Sequence, residues 1–331
     1  MTIGEWLLIE TLDGLESGSV LAVGTAPRQW KSLSRTVPAR LLPLVAEAFE
    51  SRLPVARELP RSRHAWSRRH ARAVPIAGPD GCVHGVQFWV GGDDPPQPPP
   101  VAPLLLDSNS RRTQVLSAGL GPAFDHGRSV WFGAESFEHV ERFDGALDLV
   151  ATVSRAAPGA RWLGEVSVRA RDGLRTLLLA TRNITGDRYR WRGLLADVTD
   201  SVPPQGKSFE ATTVDALVST NPGLYLAVVD TARVRLIRWI SAPVPGLRWA
   251  GDTDERTMPH PGDRARILAA RSDILAGMPF RAVPGLRLAA VDGGWLTVDA
   301  EVSPLPYGPP DGSPPEFALV RIELRSTPGT A

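Results

Sequence analysis

Six histidines and a single cysteine are the residues of this chain that could serve a metal ion, a nucleophile or a proton transfer. No two histidines lie three or four residues apart, so the spacing that places two imidazoles on one metal ion is absent. The nucleophile motif Gly-x-Ser-x-Gly, a phosphate-binding P-loop and a glycine pattern for dinucleotides are also absent. We therefore expect no catalytic centre, no metal site and no enzymatic activity.

His84 and Cys82 follow a turn at residues 78–81, Gly-Pro-Asp-Gly. We expect His84 to point outward from the strand after this turn, and a ligand contact is the alternative. One cysteine forms no intramolecular disulfide and excludes a thiolate cluster. A reactive thiol needs an electropositive, accessible pocket, so we expect Cys82 to be inert and half-buried.

Three acidic residues near His260 form a second candidate cluster, Asp252, Asp254 and Glu255. Carboxylates at this spacing could hold a cation. The neighbouring segment 258–261 carries two prolines, and we expect a solvated loop instead.

The segment 61–72, RSRHAWSRRHAR, contains five arginines and a tryptophan. A solvated strand or loop is the simplest interpretation, and contact with a phosphate or an acidic protein is the alternative. The chain has 37 basic and 36 acidic residues, so a general affinity for nucleic acid is not expected. The candidates for docking a protein partner are Arg61, Arg63, Trp66, Arg68 and Arg69.

Proline marks two joints in the chain, at residues 91–103 and 200–207. Such proline density cannot lie inside a helix or a central strand and is typical of a stiff connector. The intervals between the joints have the length of small domains. The pattern predicts a first domain, a linker, a second domain, a linker and a third domain at residues 1–92, 93–103, 104–200, 201–207 and 208–328.

The N-terminal stretch MTIGEWLLIETLDG has no basic region followed by a long apolar run, so it does not read as a signal peptide. No apolar run approaches the roughly 20 residues of a membrane helix. We expect a cytoplasmic protein without a membrane span.

Alternating apolar residues predict antiparallel strands at the end of the second unit, over residues 161–170, 174–182 and 188–198. In the last of these, three arginines alternate with aromatic side chains, which predicts a half-buried strand with a solvated arginine face, and Gly193 is expected to mark a bulge. The third unit shows a helix over residues 263–276 followed by alternating strands. The predicted class is α+β, with each domain an antiparallel sheet that carries helices.

The ending of the second unit resembles the C-terminal half of a PAS domain, through the turn Arg171-Asp172-Gly173 and the terminal Asp197-Val198-Thr199-Asp200. The whole chain is similar to an actinobacterial, chiefly mycobacterial, family in which a GAF domain precedes two PAS domains. The residues that carry this likeness are residues 5–12, EWLLIETL, and 81–89, GCVHGVQFW.

The resemblance implies a non-enzymatic sensor or scaffold in signal transduction, without an attached effector. It implies a signalling protein as partner, no cofactor, no nucleic acid, and pockets between sheet and helices. The pocket candidates are Trp162, Tyr189 and Trp191 in the second unit and Trp239 and Trp295 in the third. A scaffold for protein–protein interaction with no small-molecule ligand is the alternative, and a divergent enzyme is a further one.

Overall fold

The computed structural model describes residues 3–253, 258–306 and 313–325. Its regular elements form three antiparallel sheets with five α-helices among the described residues. The predicted α+β class with antiparallel sheets is confirmed. No helix within these described ranges is both long and apolar enough to cross a membrane.

The first sheet has six strands in the order β3-β2-β1-β6-β5-β4. Its strands are β1 (Leu7–Glu10), β2 (Ser19–Val23), β3 (Ala26–Ser32), β4 (Val55–Glu58), β5 (His70–Ala77) and β6 (Val83–Gly91). Helices α1 (Leu33–Thr36) and α2 (Leu42–Ser51) connect β3 to β4. Every residue of the central strand β6 is buried. Helix α2 packs on one face of the sheet, and a second buried cluster, which includes Leu178 and Leu194, covers the other.

The second sheet has seven strands in the order β10-β11-β12-β13-β7-β8-β9. Its strands are β7 (Val101–Asp107), β8 (Arg112–Val115), β9 (Val130–Phe132), β10 (Val140–Arg142), β11 (Arg161–Ala170), β12 (Gly173–Ile184) and β13 (Asp187–Asp197). Helix α3 (Ala146–Arg155) precedes β11. Strands β11, β12 and β13 confirm the three strands predicted from alternation.

Gly193 lies in β13 without a bulge, contrary to the expectation. Its register with Thr181 on one side and Leu104 on the other is continuous. A Cβ atom there would stand 2.7 Å from the backbone oxygen of Ala180, so close packing between strands explains the glycine.

The first two sheets share one hydrophobic core. A cluster of buried residues draws on both sheets, and its members include Leu8, Leu12, Leu21, Ile76, Leu178, Ala180, Leu194 and Ala196. By contacts the chain divides into two compact units, one of residues 1–130 and 139–206 and the other of residues 131–138 and 207–331. The proline pattern predicts three domains, and the first two of the three sheets lie together in the first compact unit.

The proline-rich joint packs on the first sheet instead of standing away from it. Trp6 Nε1 donates to the carbonyl of Pro96 at 2.8 Å, and Gln87 Nε2 donates to that of Pro99 at 2.7 Å. Strand β7 already begins at Val101, inside the predicted linker of residues 93–103. Two hydrogen bonds therefore hold the carbonyl groups of this segment against the first sheet.

The third sheet has five strands in the order β15-β14-β18-β17-β16. Its strands are β14 (Leu224–Asp230), β15 (Arg235–Trp239), β16 (Arg281–Ala289), β17 (Trp295–Pro304) and β18 (Phe317–Leu324). Two helices belong to this unit, α4 (Phe209–Thr220) and α5 (Arg264–Leu275). The observed α5 confirms the helix predicted over residues 263–276, and its apolar side chains Ala270 and Ile274 are buried.

Candidate functional site

A cavity lies in the second compact unit, between helix α5 and one face of the third sheet. All five strands of that sheet contribute to its wall. Its apolar lining includes Ala227, Leu236, Trp239, Ile267, Ala270, Ile274, Val283, Leu288, Ala300 and Val320. Side chains alternate between the two faces of strand β17. Val298 and Ala300 are buried on the inner face, and Glu301 is exposed on the outer face.

Small side chains leave this space open. Ala227 on β14, Ala270 on α5, Ala300 on β17 and Ala318 on β18 all line the cavity, and each is at most 8% exposed. Larger residues at these positions would fill the gap between sheet and helix, as close packing normally does. The cavity therefore results from alanines supplied by four separate elements.

The cavity has a volume of about 170 Å³. A cavity of about 150 Å³ with an apolar wall stays dry and takes up benzene. Sites for drug-sized ligands span about 300–1,000 Å³. The space suits a molecule of one small ring and a few further atoms, and it is smaller than a site for a large planar cofactor.

Polar groups are few and lie together at one end of the lining. Asp230 is buried, and its Oδ1 accepts a hydrogen bond from the backbone N–H of Arg233 at 2.6 Å. Arg271 on α5 donates through Nε to the backbone carbonyl of Thr231. Asp230, Thr231 and Arg271 all line the cavity, so one negative and one positive side chain lie at the same part of its wall.

Trp239 is the predicted pocket residue that the structure places in this wall. Its ring meets Trp249 edge-to-face, with centroids 6.2 Å apart and planes at 78°. Its Nε1 is buried and has no hydrogen-bond partner among the described residues. The other candidate of the third unit, Trp295, is 44% exposed, contacts His260 and does not line the cavity.

The pocket candidates predicted within residues 104–200 lie outside this cavity. Trp162 is buried against Phe143, and its Nε1 donates to Asp148 at 2.8 Å. It is therefore a core tryptophan whose N–H is hydrogen-bonded. Trp191 is fully buried in β13. Tyr189 is half-buried, and the guanidinium of Arg188 stands over its ring.

The arginine-rich segment is only partly a surface. Arg61, Arg63 and Arg68 are exposed, and Arg69 donates to the carbonyl of Ala65. Trp66 is not available for docking, because its ring packs into the core of the first sheet and is 7% exposed. The aromatic residue of this segment thus belongs to the fold, and the exposed arginines remain as docking candidates.

His84 differs most from its prediction, because it is fully buried instead of pointing outward. The pairing of β5 with β6 passes from Gly85 to Val83 and skips His84, so a bulge turns this side chain. Its Nδ1 lies 3.2 Å from the carbonyl of Gly193 on β13, and its Nε2 lies 3.0 Å from Asp80 Oδ1.

A buried ionic network surrounds His84 and joins the first two sheets. Arg192 Nε donates to Asp80 Oδ2 at 2.8 Å. Burial raises the pKa of Asp80, but the hydrogen bonds from Arg192 and from the backbone of Cys82, with the nearby His84, outweigh it and lower that pKa from 3.8 to about 2. Burial lowers the pKa of His84 from 6.5, against the opposing effect of Asp80. The network holds the sheets together through the charged carboxylate of Asp80, which lies between Arg192 and His84.

Arg192 also changes the interpretation of the arginine face of β13. Arg188 and Arg190 are exposed as predicted, but the Arg192 side chain is only 18% exposed and contacts Asp80 and the carbonyl of Leu12. The sequence signal for this network was Asp80 within the turn at residues 78–81 and His84 just after it.

Cys82 is half-buried, as expected. No group of three potential metal ligands occurs within the parts of the chain that the structure describes. Of the acidic cluster, Asp254 and Glu255 lie outside the described residues.

Similarity to known proteins bears on the fold and the family. No curated protein matches the chain. A solved structure of an uncharacterized protein from Mycobacterium tuberculosis matches with a TM-score of 0.74 at 21% identity, covering 98% of this chain and 97% of that one. At this identity the match shows a common fold.

Two further solved structures are similar over much shorter or looser alignments. The PAS-B domain of Drosophila melanogaster Cycle with bound ethylene glycol matches at 10% identity with a TM-score of 0.25, covering 30% of this chain and 99% of that one. An RNA-binding light-oxygen-voltage receptor matches at 12% identity with a TM-score of 0.26, covering 68% and 95%.

Family similarity covers both ends of the chain. Residues 5–100 match the family described as Rv3651-like, N-terminal, and residues 213–306 match Rv3651-like, C-terminal domain. Together the two matches cover more than half of the chain, and the expected mycobacterial family is confirmed at this level. The chain belongs to the Rv3651-like family, of which it carries the N-terminal and the C-terminal domain.

Proposed function

We propose that the chain is a non-enzymatic sensor of signal transduction whose C-terminal unit binds a small apolar molecule. The observation that supports this function is the cavity between α5 and the third sheet, with its apolar wall and its few polar groups at one end. Such a combination is typical of a ligand site. The nearby charged groups, Asp230 and Arg271, are engaged with backbone atoms and are not arranged as an acid, a base and a nucleophile.

Ligand binding would act by population shift. A molecule in the cavity contacts both α5 and the sheet, so it favours the arrangement in which these elements are close. At a ligand concentration of 100 Kd, binding stabilises the folded unit by about 2.7 kcal/mol. A signalling protein that recognises the stabilised form would report the ligand.

The finer assignment, a GAF-like domain followed by two PAS-like domains, is part of this proposal. It rests on the residues of the first and second units that resemble those families and on the antiparallel sheets with helices. We also propose that the protein acts in the cytoplasm, without a cofactor and without nucleic acid as a partner.

The test is thermal unfolding in the presence of small aromatic and aliphatic molecules such as benzene, toluene and indole. We expect a concentration-dependent rise of the unfolding temperature with at least one ring-sized molecule and no rise with glycerol, which is too polar for the wall. An unchanged unfolding temperature across the whole series would reject ligand sensing by this cavity.

A scaffold without a ligand is the second candidate, and the exposed arginines of the first unit favour it. Reversing the charge at Arg61, Arg63 and Arg68 would then abolish binding of a purified protein partner. A control variant reverses Arg28, Arg35 and Arg40, which are also exposed on the same unit. Equal loss of binding in both variants would argue for a general charge effect.

A further inference from the structure

Building on the proposed ligand site, we propose that residues 131–138, the reporter segment, respond to occupancy of the cavity, because side chains of the cavity wall also hold this segment. It contains the end of β9 and a 3-10 helix at Gly133–Phe137. The segment belongs to the second compact unit, while the residues before and after it in the sequence belong to the first. A change in the segment is therefore passed on along the chain in both directions.

Three residues take part in the cavity wall and in the contact with the reporter segment at once. Ala134 packs with Ala227 and Leu236 in one buried cluster, and Trp239 packs against the same cluster. Ala227, Leu236 and Trp239 also line the cavity, whereas Ala134 does not. A molecule that fills the cavity restrains these three side chains, so it also restrains the segment that packs against them.

Two further contacts attach the reporter segment close to this part of the wall. The Glu135 carboxylate accepts a hydrogen bond from the backbone N–H of Gly251 through Oε1 at 3.0 Å. The guanidinium of Arg238 stands over the ring of Phe137, 5.4 Å from its centroid, and Arg238 directly precedes Trp239 on β15. A shift of β15 therefore changes the attachment of the segment.

The coupling can be tested from both ends, because linkage between two binding events is reciprocal. If a ligand stabilises the attached segment, then loosening the segment weakens ligand binding by the same factor. Couplings of this kind change affinities by about 5–150-fold. We expect about fivefold, the lower end of that range, because the ligand acts on the segment only through three shared side chains.

The first measurement is hydrogen exchange of the full, unsubstituted chain by mass spectrometry, with and without toluene. Peptides that cover residues 131–138 should exchange about fivefold more slowly when toluene is bound. Peptides from α4 are the internal control, because α4 belongs to the same compact unit but buries none of its residues. Their exchange should stay the same.

The second measurement is the dissociation constant of toluene, determined by NMR titration of the unsubstituted chain and of Glu135→Ala. This substitution removes the acceptor for the Gly251 N–H and leaves every residue of the cavity wall unchanged. We expect the affinity to fall about fivefold. The control is Asp215→Ala on α4, which removes a carboxylate paired with Lys207 outside the cavity and should leave the affinity unchanged.

Each other outcome overturns a specific statement. If toluene binds and residues 131–138 exchange at the same rate as before, the reporter role is wrong while ligand binding by the cavity stands. Equal affinities of Glu135→Ala and the unsubstituted chain also reject the coupling. Slower exchange of α4 by the same factor would assign the effect to the whole unit and reject a specific reporter segment. If neither toluene nor benzene nor indole binds, the proposed function fails, and the reporter role fails with it.

Discussion

Replacing Ala300 by Leu should fill the cavity from the side of the sheet. Ala300 is 8% exposed and lines the cavity from the middle of β17. The substitution adds three carbon atoms directed at a space of about 170 Å³. We expect the variant to be more stable than the natural chain and unable to bind ring-sized molecules.

The magnitude follows from the buried carbons. Three added carbons at about 0.8 kcal/mol each give about 2.4 kcal/mol. Fixing the leucine side chain costs about 0.5–1 kcal/mol of conformational entropy. The net gain is therefore about 1.5 kcal/mol in the free energy of unfolding of the second compact unit.

Hydrogen exchange measured by mass spectrometry is the suitable assay, because it reports the local free energy of opening separately for each unit. Peptides from β14 and β17 should exchange about tenfold more slowly in Ala300→Leu, since about 1.4 kcal/mol corresponds to a factor of ten. The matched control is Ala180→Leu in β12, where the side chain is fully buried in the shared core of the first two sheets. There the same substitution should destabilise by about 1–3 kcal/mol through overpacking.

A destabilised Ala300→Leu variant would refute the reasoning, because it would mean that the space between α5 and the sheet is not available to a side chain. Retained binding of ring-sized molecules in a stabilised variant would show that they bind elsewhere.

The remaining predictions concern the first compact unit. Arg192→Leu should cost about 2–3 kcal/mol, because it leaves the nearly buried Asp80 carboxylate without its charged partner; urea unfolding that matches the natural chain would show that the pair contributes nothing. Acid should destabilise this unit in two steps. Below about pH 6.5 the unfolded chain takes up a proton at His84 more readily than the folded chain, in which the pKa of His84 is lowered. The stabilisation from Asp80 is then lost as the pH falls from 3.8 to about 2. The stability profile of His84→Asn between pH 6.5 and 5 should be flatter than that of the control His260→Asn, and equal slopes would assign the effect to another group. Gly193→Ala should destabilise by about 2 kcal/mol, since the new Cβ would stand 2.7 Å from the carbonyl oxygen of Ala180; an unchanged unfolding midpoint would show that β12 and β13 can separate there.

Local patterns predicted the elements well where one face of an element is solvated. The alternation in β17 places its apolar residues as observed, and the helical spacing in α5 does so for Ile274 but not for Leu268, which is exposed. Strand β6 is buried on both faces, so alternation carries no signal there, and the bulge at His84 cannot be seen in the local sequence. Period-two reasoning therefore assigned this histidine to the wrong side.

The joint at residues 93–103 was predicted as a stiff, extended connector, but composition does not reveal whether such a segment packs on a sheet. The contacts of Trp6 and Gln87 with its carbonyl groups depend on residues distant in the chain. The shared core of the first two sheets is a long-range property of the same kind.

The cavity could be anticipated only in part. Resemblance placed Trp239 among the pocket candidates, and Trp239 is one of the residues that line the cavity. The space itself arises from alanines on four elements that are neighbours only in the folded unit, so no single segment of the sequence indicates that a cavity forms there. The unpaired Nε1 of Trp239 is likewise visible only when all neighbouring acceptors are known.

The most direct test of ligand binding by the C-terminal unit is a crystal structure determined under xenon pressure. Xenon occupies apolar cavities of this size without needing a hydrogen bond. We expect xenon density between α5 and the third sheet, next to Ala270 and Ala300. A space filled by side chains, with no xenon there, would contradict it.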